Sequence, residues 1–360
     1  MRKIGIITFH RSFNYGSVLQ AYALQKYINS NQLGEAKVID FFYEYDYKQY
    51  NLFRSYLYSA QIKSFFADLY YLKRNIKRKH NFEEFIEKYI PLTQKQYTNN
   101  MQMKELNKNF DAFICGSDQI WNLEITQGGE PAYFLDFVES NNIKIAYAPS
   151  MAHLTFDNLN EKKISNYLKS FDALSVREES TKKFIAKFTD QIVNTVVDPT
   201  LLLKKDDYEE ILESIQETDY IFVYMLENND ELLAYVKKMS IHTGLKVIYI
   251  SKKQYKNISN AKNVYGASPK SFLTYIKNAD FIITNSFHAT VFSIIFEKKF
   301  VTFKTKKSFA RMVDLLEKLE LTDRLYNDEF EINNHINYSI VEKNLNELRS
   351  ESIKYLEKYI

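Results

Sequence analysis

The stretch that decides the fold is ADFIITNSFHATVFSIIFEKKFVTF, residues 279–303. Its apolar run at residues 280–284 is typical of a strand buried inside a parallel sheet. Asn285 and Ser286 are residue types that cap helices, and a helical segment then leads to a second strand at residues 300–303. The pattern therefore predicts a strand, a polar corner, a helix and a second strand, which is the repeating unit of α/β proteins.

The polar corner of this stretch is suited to an anion. His288 and Thr290 fall in the first turn of the predicted helix. Unpaired backbone N–H groups and a partial positive charge attract phosphate or carboxylate there. Open α/β sheets also bind ligands at the carboxyl ends of their strands. Lone histidines are more often structural, but an imidazole at this place can carry a proton beside a bound anion, so His288 is a candidate for catalysis or ligand binding.

The same alternation of strands and helices extends through the rest of the chain. The sequence opens with a βαβ pattern, which predicts a parallel sheet. Strands are predicted at 3–9, 37–42, 112–115, 143–148, 173–176, 192–197, 220–225 and 246–251, and helices at 18–28, 160–170, 178–187, 229–243, 268–277, 288–297 and 340–359.

The length of 360 residues fits two domains. We expect two Rossmann-like domains facing a central cleft, at residues 1–200 and 201–360, with the last predicted helix, 340–359, packing back. The chain is expected to cross between the domains at residues 198–200 or at the polar stretch 204–208.

Residues 52–90 are aromatic and basic with helical spacing, and they interrupt the first predicted sheet as a helical excursion. They include the basic run KRNIKRKH at residues 73–80. One interpretation is an ordinary solvated helix face. The other is a patch that faces an anionic membrane or a phosphorylated, lipid-linked acceptor.

Composition excludes several classes of protein. Hydrophobic residues make up 45% of the chain, so a sizeable core is expected, and a net charge of +3 does not indicate a nucleic-acid binder. Cys115 is the single cysteine, which excludes an intrachain disulfide and a cysteine-based zinc cluster, and it follows an apolar run typical of a buried position. The histidines lack metal-ligand spacing. With neither a signal-peptide pattern nor a membrane-spanning run, we expect a cytoplasmic protein without a metal cofactor.

The loop after the first strand is a second candidate site. Asn14, Tyr15, Gly16 and the following serine lie between a predicted strand and a predicted helix, where α/β folds bind ligands. The spacing matches neither a dinucleotide fingerprint nor a Walker loop, so NAD and ATP are not indicated. Gly16 could instead serve only a tight turn. His10 also follows this strand and is the one rival to His288.

Two more polar groups follow predicted strands. Ser117 and Asp118 come after the strand at 112–115, where Asp118 could bind or deprotonate a hydroxyl or could merely cap a turn. Trp121 is either a core residue or a platform for a sugar ring. Arg177 directly follows the strand at 173–176, so it is placed to hold phosphate or carboxylate, unless it pairs on the surface with the glutamates at 178 and 179.

Five motifs in order together resemble the polysaccharide pyruvyl transferase family. They are THF with NYGSVLQAYALQ at residues 8–25, GSDQIWN at 116–122, SVRE at 175–178, VDPTLL at 197–202 and NSFHAT at 285–290. The similarity extends from residue 3 to about 325, while residues 45–110 show nothing diagnostic. Ala289 departs from the pattern, because many relatives have glycine there.

The resemblance implies a GT-B-like fold with the active site between the two domains. It also implies phosphoenolpyruvate as the donor, a sugar as the acceptor and a cyclic pyruvate ketal as the product, without a redox or metal cofactor. Acid/base roles fall on His288 and Asp118. The donor side is implied to comprise Arg177, Asn285, Ser286, Thr290 and Arg311, and the acceptor side Asn14, Tyr15, Gly16, Ser117 and Trp121.

Several alternatives stay open at this stage. A GT-B glycosyltransferase with a sugar-nucleotide donor is the main one, since the fold does not fix the donor. A non-catalytic scaffold is a second. The acceptor could be a polysaccharide or a lipid-linked precursor at the inner face of the membrane, and a homo-oligomer is compatible with the sequence.

Overall fold

Two parallel sheets organise the chain. The structure is a computed structural model that describes residues 1–43, 62–151, 158–251, 255, 258–305, 309–327, 330 and 335–360. These residues divide into unit 1, residues 1–70, 86–203 and 346–360, and unit 2, residues 71–85 and 204–345. Residues 52–61 of the predicted helical excursion lie outside the described residues.

Unit 1 contains a parallel sheet with six described strands in the order β2-β1-β3-β4-β5-β6. Its register pairs Ile4 with Ala112 and Ile7 with Cys115, so the carboxyl ends of β1 and β3 lie side by side. The strands are β1 (Lys3–Ile7), β2 (Glu35–Val38), β3 (Ala112–Cys115), β4 (Ile143–Ala146), β5 (Ala173–Val176) and β6 (Val193–Thr195).

Unit 2 contains a parallel sheet with five described strands in the order β11-β10-β7-β8-β9. Thr284 at the end of β10 pairs with Tyr224 on β7 and Thr302 on β11. The strands are β7 (Tyr220–Tyr224), β8 (Lys246–Ile250), β9 (Ala261–Asn263), β10 (Phe281–Thr284) and β11 (Phe300–Thr302). The α/β prediction with two parallel sheets is confirmed.

The helices lie between these strands, as parallel crossovers require. They are α1 (Tyr15–Ser30), α2 (Ile62–Tyr89), α3 (Asn100–Met103), α4 (Asn158–Leu168), α5 (Glu179–Ile185), α6 (Asp230–Thr243), α7 (Pro269–Asn278), α8 (Phe287–Ile295), α9 (Ala310–Lys318) and α10 (Tyr338–Tyr359). Asparagine or serine side chains cap α1, α6, α7 and α8 at their N-termini. α3, α9 and β9 have no counterpart among the predicted elements.

The chain crosses from unit 1 to unit 2 between Leu203 and Lys204, at the start of the polar stretch 204–208. A division at residue 200 does not describe the units fully. Residues 71–85 of α2 belong to unit 2, and residues 346–360, which include most of α10, belong to unit 1.

Each sheet packs its apolar residues into a core of its own unit. In unit 1 the core includes Cys115, which is fully buried as predicted, and burial raises the pKa of its thiol well above the ordinary value. It also includes Trp121, whose indole stacks on Phe134 with ring centroids 5.3 Å apart and donates to the Tyr133 carbonyl at 3.0 Å. Both units therefore have a buried apolar scaffold that fixes the ends of their strands.

Candidate active site

Buried polar residues follow the strands of unit 1 at their carboxyl ends. Asp118 comes after β3, Arg177 after β5 and Asp198 after β6. Their exposed fractions are 8%, 5% and 1%. Burying charge is costly unless partners compensate it, so the contacts of these groups decide what the cluster can do.

Asp198 is the centre of the cluster. One carboxylate oxygen accepts hydrogen bonds from the Ser117 hydroxyl at 3.0 Å and from the Arg177 Nη1 at 2.6 Å. The other accepts from the backbone N–H and the hydroxyl of Thr200, at 3.1 and 2.7 Å. Four donors therefore hold this buried carboxylate, and it joins the ends of β3, β5 and β6.

Arg177 is a buried and fixed cation. Burial on its own would lower the pKa of the guanidinium, but the charges of Asp198, Glu178 and Asp118 outweigh it and raise that pKa. Its Nε lies 3.6 Å from Glu178. The Glu178 carboxylate in turn accepts from Ser150 at 2.6 Å and Thr181 at 2.7 Å. The alternative that Arg177 pairs with a neighbouring glutamate is therefore confirmed for Glu178, but its surface location is wrong, because both side chains are buried.

Asp118 has a backbone conformation that side chains rarely adopt. Its φ is +73°, in the left-handed region. Its carboxylate accepts from the Ser17 hydroxyl at 2.5 Å, and its carbonyl accepts from the Ser150 N–H at 2.9 Å. Strain of this kind persists only where surrounding contacts hold it, and it concentrates at functional sites.

The start of α1 meets this cluster through Ser17. The Asn14 side chain caps α1 by accepting from the Gly16 N–H at 2.9 Å, and Gly16 lies within the first helical turn, so the tight-turn alternative is wrong. Gln20 donates to the Thr8 hydroxyl at 2.9 Å, which in turn donates to the Ser117 carbonyl at 2.9 Å. Of the predicted loop residues, Ser17 therefore contacts Asp118, and Asn14 and Gly16 begin the helix that carries Ser17.

Two of the predicted acceptor residues are core residues. Trp121 is fully buried, and Tyr15 is 1% exposed. A ring that packs on all sides has no face for a sugar, so the alternative of Trp121 as a sugar platform is wrong. The placement of Tyr15 in the core is unfavourable for a direct sugar contact for the same reason.

His10 is buried at the end of β1 and is already engaged. Its Nδ1 lies 3.1 Å from the Thr8 carbonyl, and its Nε2 lies 3.3 Å from Asp40. Arg11 contacts the same carboxylate through Nε at 2.5 Å and Nη2 at 2.6 Å. Burial would raise the pKa of Asp40, but Arg11 and His10 hold it well below its usual range. This arrangement fixes the loop and leaves His288 as the better candidate for proton transfer.

In unit 2, hydrogen bonds between side chains and the backbone hold the corner between β10 and α8. The Ser286 side chain caps α8 by accepting from the Ala289 N–H at 3.4 Å. The Asn285 amide accepts from the Leu226 N–H and donates to the Glu227 carbonyl, both at 2.8 Å. Asn285 therefore holds the loop after β7 beside the corner, and its predicted donor role would be one of positioning.

His288 and Arg311 both contact the ring of Phe287. The His288 imidazole contacts the Phe287 ring edge-to-face at 5.2 Å, and the Arg311 guanidinium lies 5.2 Å from the centre of the same ring. Both are mostly buried, at 7% and 8% exposure. The Thr290 hydroxyl in the same turn is buried and has no hydrogen-bond partner among the described residues. The corner thus combines a titratable ring, a cation and an unsatisfied hydroxyl at a helix N-terminus.

Some of these residues were not singled out from the sequence. Asp198 and Phe287 lay only within quoted motifs, Ser17 was named only as part of the loop, and Glu178 was named only as a surface partner of Arg177. The roles of all four depend on contacts that the sequence does not show. The signal for Asp198 was its place directly after β6, followed by proline and threonine as at a capped turn. Within the described part of the chain, no group of three or more His, Cys, Asp or Glu residues could hold a metal ion.

Solved structures with a similar fold are enzymes of sugar-nucleotide chemistry. A UDP-N-acetylglucosamine 2-epimerase from Neisseria meningitidis, bound to UDP-GlcNAc, aligns with a TM-score of 0.51 and 9% identity over 100% of this chain and 94% of its own. A putative UDP-N-acetylglucosamine 2-epimerase from Listeria monocytogenes gives 0.51 and 8% over 99% and 91%. The S. aureus MnaA–UDP co-structure gives 0.50 and 12% over 100% and 91%. At these identities the likeness shows the fold alone, which is of the GT-B class.

The match of the sequence to a protein family says more about this chain than the similarity of its fold. The family model of polysaccharide pyruvyl transferase matches residues 14–307, which is most of the chain. The chain therefore belongs to the polysaccharide pyruvyl transferase family. No curated protein matches it. None of the helices described here combines the length and the apolar character that crossing a bilayer requires.

Proposed function

We propose that this protein transfers the pyruvyl group of phosphoenolpyruvate to a sugar of a cell-surface polysaccharide or of its lipid-linked precursor. Family membership supports pyruvyl transfer to a polysaccharide. The observation that carries the choice of donor is the His288 corner, where Arg311, His288 and a helix N-terminus meet around Phe287. Phosphoenolpyruvate has a phosphate, a carboxylate and a carbon that must be protonated, and this corner offers groups for each need.

The reaction balances without a further reactant. A proton adds to the methylene carbon of phosphoenolpyruvate, and a sugar hydroxyl adds to C2 while its proton passes to a base. The bond between C2 and the phosphate oxygen then breaks, and phosphate leaves with the electron pair. A second hydroxyl of the same sugar attacks C2 and loses its proton, which closes the cyclic ketal. The products are one pyruvate ketal and one phosphate.

In this proposal His288 delivers the proton to the methylene carbon. Arg311 and the N–H groups of the first turn of α8 attract the anionic groups of the donor, and the Thr290 hydroxyl donates to one of its oxygens. Electrostatic groups that are already fixed before the reaction stabilise developing charge without reorganisation. The buried position of Arg311 and its contact with Phe287 provide such fixation.

The residues of unit 1 supply a second set of roles. We assign Asp118 to acceptance of a hydroxyl proton, with Ser17 holding its carboxylate. Asn14, Gly16 and Ser117 lie on the same strand-end loops and would shape the acceptor side. Arg177 would bind the phosphate or carboxylate of the donor, because its planar guanidinium has five N–H donors and can serve several acceptors at once.

The test is a comparison of donors on the purified full chain. Ligands that bind the folded state raise its melting temperature by mass action. We expect phosphoenolpyruvate to stabilise the protein, Arg311→Gln to weaken that effect, and Lys318→Gln, which breaks a partly exposed ion pair with Asp314 on the same helix, to leave it unchanged. Phosphate release in the presence of sugar acceptors, followed by ³¹P NMR, then tests transfer.

Stabilisation by UDP-GlcNAc with none by phosphoenolpyruvate would contradict the proposal. It would favour a glycosyltransferase with a sugar-nucleotide donor. The solved structures of similar fold include proteins with UDP and UDP-GlcNAc, which makes these two compounds the natural comparison.

A further inference from the structure

A concave site in unit 1 extends from the amino ends of β1 and β3 along the edge strand β2. It is a cleft of about 470 Å³, within the usual size range of small-molecule sites. The first residues of β1 and β2, the segment 93–97 and the segment 105–110 before β3 form its walls. The residues of the candidate active site follow the opposite, carboxyl ends of the same strands, so the cleft is a separate feature.

Four lysines from four different segments converge on this cleft: Lys3, Lys37, Lys95 and Lys108. Two carboxylates also line it, and each pairs with one lysine. Glu105 accepts from Lys95 at 2.9 Å, and Glu35 lies 3.4 Å from the Lys37 ammonium.

Lys3 and Lys108 give the cleft its net positive charge. Both side chains are exposed, and within the described parts of the chain neither has a carboxylate within ion-pair distance. Two positive charges in excess over the carboxylates of the lining favour an anionic occupant. Lysine side chains are flexible, so their ammonium groups can reach anionic groups at more than one position of a ligand.

The floor of the cleft is apolar but closed, and its accessible sides are polar. Tyr97 and Leu106 are buried at 3% and 2% exposure, so they support the cleft without offering a face to a ligand, and Phe110 is half-buried beside them. Thr93, Gln94 and Asn109 add hydroxyl and amide groups to the wall. These hydrogen-bonding groups suit a sugar, whose hydroxyls both donate and accept hydrogen bonds.

Tyr97 is fixed in this floor. Its hydroxyl donates to Glu105 at 3.1 Å, and Lys95 contacts both that carboxylate and the face of the Tyr97 ring, 5.4 Å from its centre. The three side chains brace one another, so the aromatic floor exists before any ligand arrives, and less conformational entropy is lost on binding.

We propose that this cleft binds an anionic saccharide, a sugar unit with carboxylate or phosphate groups, apart from the candidate active site. The charge excess selects the anion, and the hydroxyl and amide groups of the walls select the sugar. If the proposed function holds, the ketal product carries one carboxylate for each modified sugar, and the cleft would retain the modified chain. A phosphorylated sugar has the same chemistry, so the two sources need separate arms of the test.

The experiment is calorimetric titration of the full chain at low salt. The probes are trigalacturonate, glucose 6-phosphate and the neutral sugar maltotriose. The test variant is Lys3→Gln/Lys108→Gln. The control variant is Lys162→Gln/Lys169→Gln, which removes two exposed lysines of unit 1 that do not line the cleft.

We expect trigalacturonate to bind, and the test variant to lose about tenfold in affinity while the control does not change. Raised salt should weaken binding to the unaltered protein more than to the test variant. If glucose 6-phosphate binds better with the same dependence on Lys3 and Lys108, the phosphate source is the one that the cleft serves. An unchanged melting temperature shows that the test variant is folded.

Three results would overturn the inference: binding of neither anionic probe, equal affinity in the test variant, or equal binding of maltotriose. The titration involves no turnover, so it is independent of the proposed pyruvyl transfer. A protein that failed to use phosphoenolpyruvate but bound trigalacturonate through Lys3 and Lys108 would refute the proposed function and support the cleft.

Discussion

Asp198→Asn is the most direct test of the polar cluster in unit 1. The Arg177 and Asp198 side chains are 3% and 0% exposed, and the Arg177 Nη1 lies 2.6 Å from the Asp198 Oδ2. Removal of one charge from such a buried pair costs about 3–5 kcal/mol, and here the Glu178 carboxylate, 3.6 Å from the Arg177 Nε, still compensates part of the Arg177 charge. Asparagine has nearly the same volume and can still accept from Thr200. We therefore expect a loss of about 3 kcal/mol in the free energy of unfolding, at the low end of this range.

Urea denaturation of the full chain, followed by tryptophan fluorescence, measures this loss, because the only tryptophan, Trp121, lies in the core of unit 1. Lys182→Gln is the matched control. It breaks the ion pair between Lys182 and Glu179, whose charged atoms are 3.4 Å apart. The side chains of this pair are 40% and 37% exposed, so water screens the two charges. That change should cost no more than about 1 kcal/mol.

A double-mutant cycle separates the pair from its surroundings. Arg177→Met combined with Asp198→Asn removes both charges, so the double variant should lose at least about 1 kcal/mol less than the sum of the single variants. If Asp198→Asn is no more destabilising than Lys182→Gln, or if the two losses simply add, then Asp198 does not hold the Arg177 charge and the reasoning fails.

Three further outcomes follow from the structure. His288→Gln should slow phosphate release at least about 100-fold with phosphoenolpyruvate binding retained, and a loss under tenfold would rule out its proton-transfer role. Burial would raise the pKa of Asp40, but Arg11 and His10 lower it below the pKa of the unfolded chain. The ionised Asp40 carboxylate therefore stabilises the fold fully above about pH 4, and this stabilisation is lost as acid protonates it. Urea midpoints of Asp40→Asn and the unaltered protein should therefore converge on acidification; a constant gap would contradict this. Burial raises the pKa of Tyr224 to about 12, so this side chain should lose about 2–3 kcal/mol of its contribution to stability as pH rises from about 10 to 12. Over this range the free energy of unfolding of Tyr224→Phe should fall by that much less than that of the unaltered protein, and equal falls would contradict the reasoning.

The strands were predictable because burial on both faces leaves a clear apolar run. β3 and β5 were predicted to the residue. β9 was missed because Ala261–Asn263 is a short edge strand with polar, partly exposed side chains. α9 was predictable from the sequence, because its apolar residues Met312, Leu315 and Leu316 recur at helical spacing and are buried.

The candidate site was predictable in kind but not in its connections. Polar residues after strands indicated where Asp118, Arg177 and His288 would lie, because parallel strands bring their carboxyl ends to one edge. The partner of Arg177 was not predictable, since Asp198 is 21 residues away in the chain. The left-handed backbone of Asp118 also has no sequence signal, because it results from contacts with other segments.

The shared helix α10 has a consequence for how the protein is made. Within unit 1, Ser352 accepts from the Val197 N–H at 3.0 Å, and Arg349 donates to the Leu201 carbonyl at 2.6 Å. These two contacts flank Asp198 on both sides. A ribosome must therefore translate all of residues 204–345 before the segment that braces Asp198 emerges, which at roughly 5–20 residues per second is a delay of many seconds. Unit 1 therefore stays incomplete while residues 204–345 are synthesised. A fragment that ends at Leu203 would lack the Ser352 and Arg349 contacts on either side of Asp198.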